Sequence, residues 1–535
     1  MEIFEEEPQD SPNQAANYDK AIAATGYGLF NTLLLLALLP VGWTCIIDTT
    51  STAFMINSVE CEFELTWLRR GIAVSIIYMG MTIAGPIWDF LLNDYITGYL
   101  GKKYVMIAGL FLDAICNILW THASSYYTFV VFKFFSGVLI AGPLSVFMAY
   151  LGEFHAPDYQ QRFNRWAGLL ILLSNIVPPA LAAALLTQTP DLNWYIYNRH
   201  YPSWRVYLLI FSVLPMIGLL LVCFMPKSPK FLMAQGRSKE ALQVLKIMYC
   251  MNHFEPASKY PIKELIWQQK VKRKLNDYCR DKTRDSISHL KSLFSKPYVR
   301  VVGTIALLQF VCMSEFNVMR LWVPSLFTMM NYFEALLLHR YPEGELVTLC
   351  EMIFPRFDRG TPCNFTLPDI DYAVFINSTI IATAAVSFSF VFPILANSPK
   401  KKIILMIFTF FVSTIGCFGA NWGVQIPYML VLVASVIVSP RITGNTIILY
   451  NAEVVPQVLR PAAISVINFF GNLGALAGNI MFSFLLSVNC YAAFLTFGCI
   501  ALVCISMPLL LWKGIKSDKI DKSDVATTQP EIERY

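Results

Sequence analysis

Tyr150-Leu151-Gly152-Glu153 is followed by Pro157 and Arg162, and about 300 positions later Tyr450-Asn451-Ala452-Glu453 is followed by Pro456 and Arg460. About 50 residues earlier in each case, another two stretches correspond: Gly101-Lys102-Lys103-Tyr104-Val105-Met106 and Pro399-Lys400-Lys401-Lys402-Ile403-Ile404. Because both correspondences have nearly the same offset, the sequence predicts a chain built of two similar halves.

The composition is typical of a membrane protein. Hydrophobic residues make up 56% of the chain and charged residues 14%, and the mean hydropathy is +0.52. A soluble protein of 535 residues could not bury that much apolar surface. Helices of about 20 apolar residues, long enough to cross a bilayer, account for it. The sequence therefore predicts a polytopic α-helical membrane protein.

Twelve apolar runs divide into two sets of six, separated by a polar segment. They lie at about 28–57, 70–97, 103–122, 125–152, 164–187 and 204–225, and then at 299–330, 372–396, 402–420, 423–450, 461–487 and 489–512. The first residues are acidic and lack the features of a signal peptide. Residues 1–24 are predicted to be a flexible cytosolic tail, as is the segment 513–535.

The orientation follows from the positive charges of the short loops, which are enriched on the cytosolic side. One side collects Lys102, Lys103, Arg162, Arg165, Lys400 to Lys402, Arg460, Lys513 and Lys516. Four arginines oppose the trend: Arg69, Arg70, Arg199 and Arg205. On balance, both termini are predicted to be cytosolic.

The segment 227–298 between the halves is basic, with 16 Lys or Arg against 6 Asp or Glu. Gly236 to Tyr249 and Ile262 to Tyr278 have helical periodicity. One interpretation is a set of surface helices attracted to anionic lipid of the inner leaflet. The other is a solvated linker.

The loop 331–371 faces the opposite side, which is the lumen or the exterior of the cell. It contains Cys350 and Cys363, which are predicted to form a disulfide, with Cys61 as a competing partner. Asn364-Phe365-Thr366 is a glycosylation sequon, so Asn364 is predicted to carry a glycan.

Two sets of six spans around a long cytosolic segment resemble the major facilitator superfamily. The ordered motifs resemble the synaptic vesicle glycoprotein 2 family, which is close to the organic cation and anion transporters. These motifs are Thr25-Gly26-Tyr27-Gly28, Glu60-Cys61, Tyr150 to Phe154, Ser203 to Val206, and Ser228-Pro229-Lys230-Phe231 followed by Gly236, Glu240-Ala241 and Leu245. The resemblance covers about residues 20–512 and is typical of a divergent, invertebrate-type member.

The resemblance implies an all-α major facilitator fold, with twelve helices in two pseudo-symmetric bundles at 25–226 and 299–512. The chain departs from the family in the loop between spans 2 and 3. There the usual acidic residue has moved, and Asp94 or Asp89 is a candidate replacement in the cytosolic latch. In span 4, Lys133 stands where an arginine is typical.

Charged residues inside the apolar runs are costly, so each needs a reason. Asp48, Lys133, Glu315, Arg320 and Arg441 fall on spans 1, 4, 7 and 10, which line the central cavity in the superfamily. They are predicted to bind a polar or charged solute or a coupling proton. The alternative is that they neutralise each other as ion pairs. Three cations against two carboxylates favour an anionic solute.

The two Tyr-x-x-Glu stretches fall where spans 4 and 10 enter the cytosol. They predict two gates on the cytosolic face: Glu153 would bond Arg162 and Lys102, and Glu453 would bond Arg460 and Lys401. The alternative is that these charges mark topology alone.

No phosphate-binding loop, metalloprotease motif or zinc-spaced cysteine pair occurs in the sequence. The sequence therefore predicts a secondary transporter of a small organic solute, either an organic ion or sugar-like, that alternates access to its cavity. We expect no enzyme activity, cofactor, metal or nucleic-acid partner, and a monomer in the plasma membrane or a vesicle membrane. The alternative function is a receptor or adaptor that keeps the fold without transport.

Overall fold

The computed structural model of the chain describes residues 15–60, 62–92, 100–187, 194–196, 199–266, 288, 290–295, 298–336, 348–353, 372–422, 426–456 and 458–511. Within these residues, twelve helical segments are long and apolar enough to cross a membrane, and we number them span 1 to span 12. They are Leu29–Met55, Trp67–Asp89, Lys102–Thr121, Tyr126–Gly152, Pro157–Leu185, Ser203–Phe224, Tyr298–Asn331, Tyr372–Leu395, Pro399–Ala420, Pro427–Val454, Arg460–Val488 and Cys490–Leu511.

Shorter elements join the spans. The helices are Tyr18–Ala23, Pro229–Ala234, Ser238–His253, Ala257–Lys259 and Leu349–Ile353, and the strands are β1 (Ala15–Ala16), β2 (Trp194–Ile196), β3 (Arg199–Tyr201) and β4 (Glu264–Leu265). Strands β2 and β3 pair antiparallel, and β1 pairs with β4 in parallel. The predicted twelve-helix class is confirmed. A helix suits these apolar runs because it satisfies its backbone hydrogen bonds internally, as a bilayer requires.

Spans 1–6 form one half of the molecule and spans 7–12 the other. Between the halves, span 2 packs on span 11, span 5 on span 8 and span 1 on span 7. Span 11 also packs on span 7 within its own half. Glycine permits the close approach of span 2 to span 11 and of span 11 to span 7. A Cβ on Gly71 would lie 2.3 Å from Ser483 Oγ, and one on Gly474 would lie 2.1 Å from the Phe310 carbonyl oxygen.

The two membrane faces differ in how the halves are joined. We call the face that carries Glu153 and Glu453 the glutamate face, and the face that carries Asn57 the Asn57 face. Towards the Asn57 face, one apolar core runs through both halves and includes Phe54 and Phe375, whose rings lie 6.3 Å apart. Towards the glutamate face, each half has separate apolar clusters. Among the described residues, the halves therefore share an apolar core towards the Asn57 face and not towards the glutamate face.

The N-terminal segment and the loop helices form a cap on the glutamate face of the first half. Asn252 donates to the carbonyl oxygens of Thr25 at 3.0 Å and Gly26 at 3.3 Å. Tyr260 donates to the Ala21 carbonyl at 2.7 Å. Burial raises the pKa of the Tyr260 hydroxyl above its ordinary value. Residues 15–24 are therefore packed, and the prediction of a flexible tail is wrong for them.

In the first part of the segment between the halves, the structure matches neither of the two predicted arrangements. Helices Pro229–Ala234 and Ser238–His253 bury apolar side chains in the core of the first half. A helix is expected at 262–278. Within the described part of that range, residues 262–266, the chain is not helical, and Glu264–Leu265 is a strand. Residues 267–287 lie outside the described residues.

The predicted disulfide between Cys350 and Cys363 is wrong. Cys350 bonds Cys490, at the start of span 12, with their Cα atoms 5.6 Å apart. Packing of the short helix Leu349–Ile353 beside span 12 brings the two sulfur atoms together. Cys363, the competing Cys61 and the predicted glycan acceptor Asn364 lie outside the described residues.

Candidate functional site

A cavity of about 510 Å³, part of it open to solvent, lies between the two halves. The first half contributes side chains of spans 1 and 5, and the second half side chains of spans 7, 8 and 10. They are Thr50, Phe54, Leu172, Asn175, Pro179, Phe316, Arg320, Val323, Ser378, Ile381, Ala382, Ala385, Val386, Ser389, Ile437 and Arg441.

Arg320 is fixed in this cavity by side chains from both halves. Its guanidinium donates to Asn175 Oδ1 at 3.0 Å and to the Tyr78 hydroxyl at 2.5 Å, both in the first half. It also donates to Asn317 Oδ1 at 2.8 Å, one turn earlier on its own helix. These are neutral acceptors, so they orient the guanidinium without cancelling its charge.

Arg441 shares an aromatic ring with Arg320. The guanidinium carbons of both arginines lie 5.0 Å from the ring centre of Phe316. Both guanidiniums are attracted to that ring, since the electron-rich face of an aromatic ring favours a cation. Among the described residues, Arg320 and Arg441 are the charged side chains that line the cavity.

A second group of buried charges lies inside the first half, and we call it the aspartate cluster: Asp48, Asp113, Asn117 and Lys133. Asn117 Nδ2 donates to Asp48 Oδ2 at 3.2 Å and to Asp113 Oδ2 at 3.0 Å. The ammonium of Lys133 lies 4.1 Å from the ring centre of Trp120, whose indole donates to Asn117. The cluster thus has two carboxylates and one ammonium.

The second half buries one carboxylate at a similar depth. Ser413 Oγ donates to Glu315 Oε2 at 2.7 Å. The other carboxylate oxygen, Oε1, has no hydrogen-bond partner among the described residues.

The structure therefore divides the five predicted site charges into three places. Arg320 and Arg441 line the cavity, whereas Asp48, Lys133 and Glu315 do not. The reason is rotational position: Asp48 and Lys133 face the residues of span 3, and Glu315 faces span 9. Their assignment to the central cavity is corrected, because each faces the interior of its own half.

Each predicted gate glutamate forms an ion pair with a lysine of its own half. Glu153 pairs with Lys102, as predicted. Glu453 pairs with Lys402, whereas the predicted partner, Lys401, is exposed. Arg460 contacts the carbonyl oxygen of Val455 at 3.5 Å. Arg162 lies in the first turns of span 5.

Other contacts connect the halves at both faces. Near the Asn57 face, Asn57 accepts from Ser325 Oγ at 2.9 Å and lies 3.1 Å from Thr328 Oγ1. Towards the glutamate face, Asp89 hydrogen-bonds Ser465 of span 11. Asp89 thus links the two halves here; its latch role stays a prediction, and the other candidate, Asp94, lies outside the described residues.

Sequence analysis missed several residues of these sites. Asn57, Asn117 and Asn317 are uncharged, so no unusual cost in an apolar run singled them out. Phe316 is one of 39 phenylalanines in the sequence. Its position next to Glu315 is the signal that could have pointed to it.

The comparisons with known proteins are consistent with this geometry. The family model described as Major Facilitator Superfamily matches residues 21–450. The chain belongs to that superfamily. Synaptic vesicle glycoprotein 2B of Rattus norvegicus is 27% identical over 258 residues, which are 47% of this chain and 36% of the relative. Synaptic vesicle glycoprotein 2A of Homo sapiens is 24% identical over 247 residues, 44% of this chain and 31% of the relative.

These matches confirm the resemblance to the synaptic vesicle glycoprotein 2 family, although they span about a third of the relatives' length. Solved structures show the fold. A partially occluded, inward-open conformation of the xylose transporter XylE from E. coli has a TM-score of 0.60 at 13% identity, covering 91% of this chain and 99% of that one. A D-xylose-proton symporter has a TM-score of 0.59 at 15% identity, covering 89% of this chain and 97% of that one.

Proposed function

We propose that the chain is a secondary transporter that carries a small organic solute across a membrane by alternating access. The observation that carries the proposal is the cavity between the halves, lined by both of them and containing two arginines. A site at the boundary of two rigid halves faces one side or the other when the halves rock.

The contacts at the two faces support opening at the Asn57 face as the next movement of the halves. At the Asn57 face, a common apolar core and the hydrogen bonds of Asn57 hold the halves together. At the glutamate face, the apolar clusters of the halves are separate, and the gate ion pairs lie within single halves. Opening at the Asn57 face would therefore break the bonds of Asn57 with Ser325 and Thr328.

We propose that the aspartate cluster binds a coupling proton. With all groups ionised, Asp48, Asp113 and Lys133 carry one more negative than positive charge, which is costly in a buried site. A proton on either carboxylate would remove the excess. One of the solved structures of the same fold is described as a proton symporter, so coupling of this kind occurs with that fold.

The gate role of Glu153 and Glu453, with Lys102 and Lys402 as partners, belongs to the same proposal. So does the orientation in which the glutamate face is cytosolic. We further propose a monomer in the plasma membrane or a vesicle membrane, with basic side chains of the segment 227–298 near anionic lipid although its first helices pack into the core of the first half. The alternative, a transport-inactive receptor or adaptor, differs in that access to the cavity would not alternate between the two faces.

A cysteine in the cavity tests alternating access without knowledge of the solute. Ser378→Cys should react with a membrane-impermeant thiol reagent added from either face of the full chain in liposomes. When Asn57→Cys and Thr328→Cys are joined by a short bifunctional thiol reagent, reactivity from the Asn57 face should disappear and reactivity from the glutamate face should remain.

Two controls make the result specific to Ser378→Cys. The cross-linked protein without that substitution gives the background labelling of the native cysteines. Lys401→Cys, exposed at the glutamate face, should be labelled equally with and without the cross-link. If the reactivity of Ser378→Cys does not respond to the cross-link, the alternating-access proposal is wrong.

A further inference from the structure

The charge of the cavity is not balanced by any described neighbour. No described carboxylate lies within ion-pair distance, 4.0 Å, of either arginine. Arg441 forms no hydrogen bond with the described residues, and Arg320 Nε is buried without a partner among them. Two positive charges therefore line one cavity, and the guanidinium of Arg441 keeps its donor groups free.

The two guanidiniums are close enough to act on one small molecule. Since both lie 5.0 Å from the ring centre of Phe316, their separation cannot exceed twice that distance. Arg320 is held in place by Asn175 and Tyr78, so it is already oriented. A planar guanidinium with free N–H groups is suited to the paired oxygen atoms of a carboxylate or a phosphate.

The remaining wall of the cavity selects an apolar body. Its large side chains are mostly hydrocarbon, such as Phe54, Val323 and Ile437. The hydroxyls of Ser378 and Ser389 donate to backbone carbonyls one turn earlier, so they offer few donors to a ligand. A polyhydroxylated sugar needs many hydrogen-bond partners, and this wall does not supply them.

We infer that Arg320 and Arg441 together bind a small organic dianion with an apolar body, either a dicarboxylate or a phosphate monoester. The inference rests on the proposed transport function, because it names the class of solute at the same site. Each acid group neutralises one guanidinium, or one doubly charged phosphate lies between the two. A neutral solute would leave both charges buried and unpaired.

A series of phthalates tests the charge requirement with the ring kept constant. Phthalate has two carboxylates, monomethyl phthalate one and dimethyl phthalate none. We expect the thermal unfolding midpoint of the purified full chain to rise most with phthalate, less with the monoester and not at all with the diester. Phenyl phosphate provides the second arm, and the larger rise of the two identifies the preferred acid group.

The Arg441→Gln variant tests the residue. Arg441 makes no hydrogen bonds within the described residues, so its replacement should leave the fold intact. We expect its Kd for the preferred dianion to rise about ten- to a hundredfold, because a charged hydrogen-bonded pair is lost. The matched control is Arg300→Gln, an exposed arginine on span 7, whose Kd should equal that of the unaltered chain.

The inference is overturned if dimethyl phthalate binds as tightly as phthalate, if neither dianion binds, or if Arg441→Gln binds the dianions unchanged. Its failure is distinguishable from failure of the transport proposal. If Ser378→Cys alternates between faces but no dianion binds, transport stands and the solute class is wrong. If dianions bind but no alternation occurs, the site stands and transport is wrong.

Discussion

The two halves bury different charges at corresponding places. In the first half, Asp48 on span 1 is linked through Asn117 to Asp113 on span 3, with Lys133 nearby. In the second half, Glu315 on span 7 accepts a hydrogen bond from Ser413 on span 9. The offset in sequence between Asp113 and Ser413 equals the offset between Lys102 and Lys402 and that between Glu153 and Glu453.

The comparison shows which charged groups the two halves share and in which they differ. Both halves have a lysine at the start of one helix paired with a glutamate at the end of the next, namely Lys102 with Glu153 and Lys402 with Glu453. Among the buried charges of the described spans, the first half combines a cation with its carboxylates, whereas Glu315 of the second half pairs with no cation. The lysine–glutamate pairs are therefore common to both halves, whereas the buried clusters differ.

The largest loss of stability should come from removing Lys133, the buried cation of the aspartate cluster. Lys133→Met leaves two carboxylates buried without their ammonium, and we expect a loss of about 3–5 kcal/mol in the free energy of unfolding. Glu315→Gln should cost less than about 1 kcal/mol, because the amide oxygen can still accept from Ser413. Denaturant unfolding of the purified protein in detergent measures both.

A second substitution distinguishes charge from packing at this site. Adding Asp113→Asn to Lys133→Met should restore part of the lost stability, since one buried carboxylate instead of two then lacks its cation. Lys401→Met, at an exposed lysine, is the control and should change little. Equal losses for Lys133→Met and Glu315→Gln would contradict the difference between the halves.

An intermediate effect is expected at the cap, which covers the glutamate face of the first half. Asn252→Ala removes the hydrogen bonds to Thr25, Gly26 and Phe30. We expect a loss of about 1–3 kcal/mol and faster deuterium uptake by residues 15–28. Asn397→Ala, at an exposed loop position of the second half, should change neither quantity. Unchanged deuterium uptake in Asn252→Ala would mean that the cap is held elsewhere.

The two gate substitutions should differ from each other in effect, because the exposure of the two glutamates differs, and the smaller effect should be at Glu453. The side chain of Glu153 is 13% exposed and that of Glu453 is 36% exposed. Glu453→Gln should cost less than about 1 kcal/mol, as exposed ion pairs do, and Glu153→Gln roughly 1–3 kcal/mol.

Both gate variants should increase the labelling of Ser378→Cys from the glutamate face, because a gate has been weakened. The Lys401→Cys control should stay constant. Unchanged labelling of Ser378→Cys in both variants would leave these glutamates with a topological role alone.

The sequence was sufficient for the fold because its signals are long. Twelve apolar runs and two motifs repeated at one offset each average over many residues. The depth of the buried charges followed from their positions along the runs. The side of the helix on which each charge lies could not be predicted in this way. Consecutive residues point about 100° apart, so Lys401 is exposed while Lys402 pairs with Glu453.

Contacts between distant parts of the chain were also beyond the sequence. The partner of Cys350 is 140 positions away, and no local pattern relates it to Cys490. The packing of residues 15–24 depends on Asn252 and Tyr260 in the loop between the halves. Only the assembled fold brings these residues together.

The bond between Cys350 and Cys490 has a consequence for how the protein is made. Synthesis proceeds from the N-terminus, so in the orientation proposed above Cys350 crosses the membrane before spans 8 to 11 have been made. Its partner, Cys490, is made only when span 12 begins. Disulfides form in the oxidising secretory compartment. In that orientation, correct pairing has to wait until spans 8 to 11 have been made.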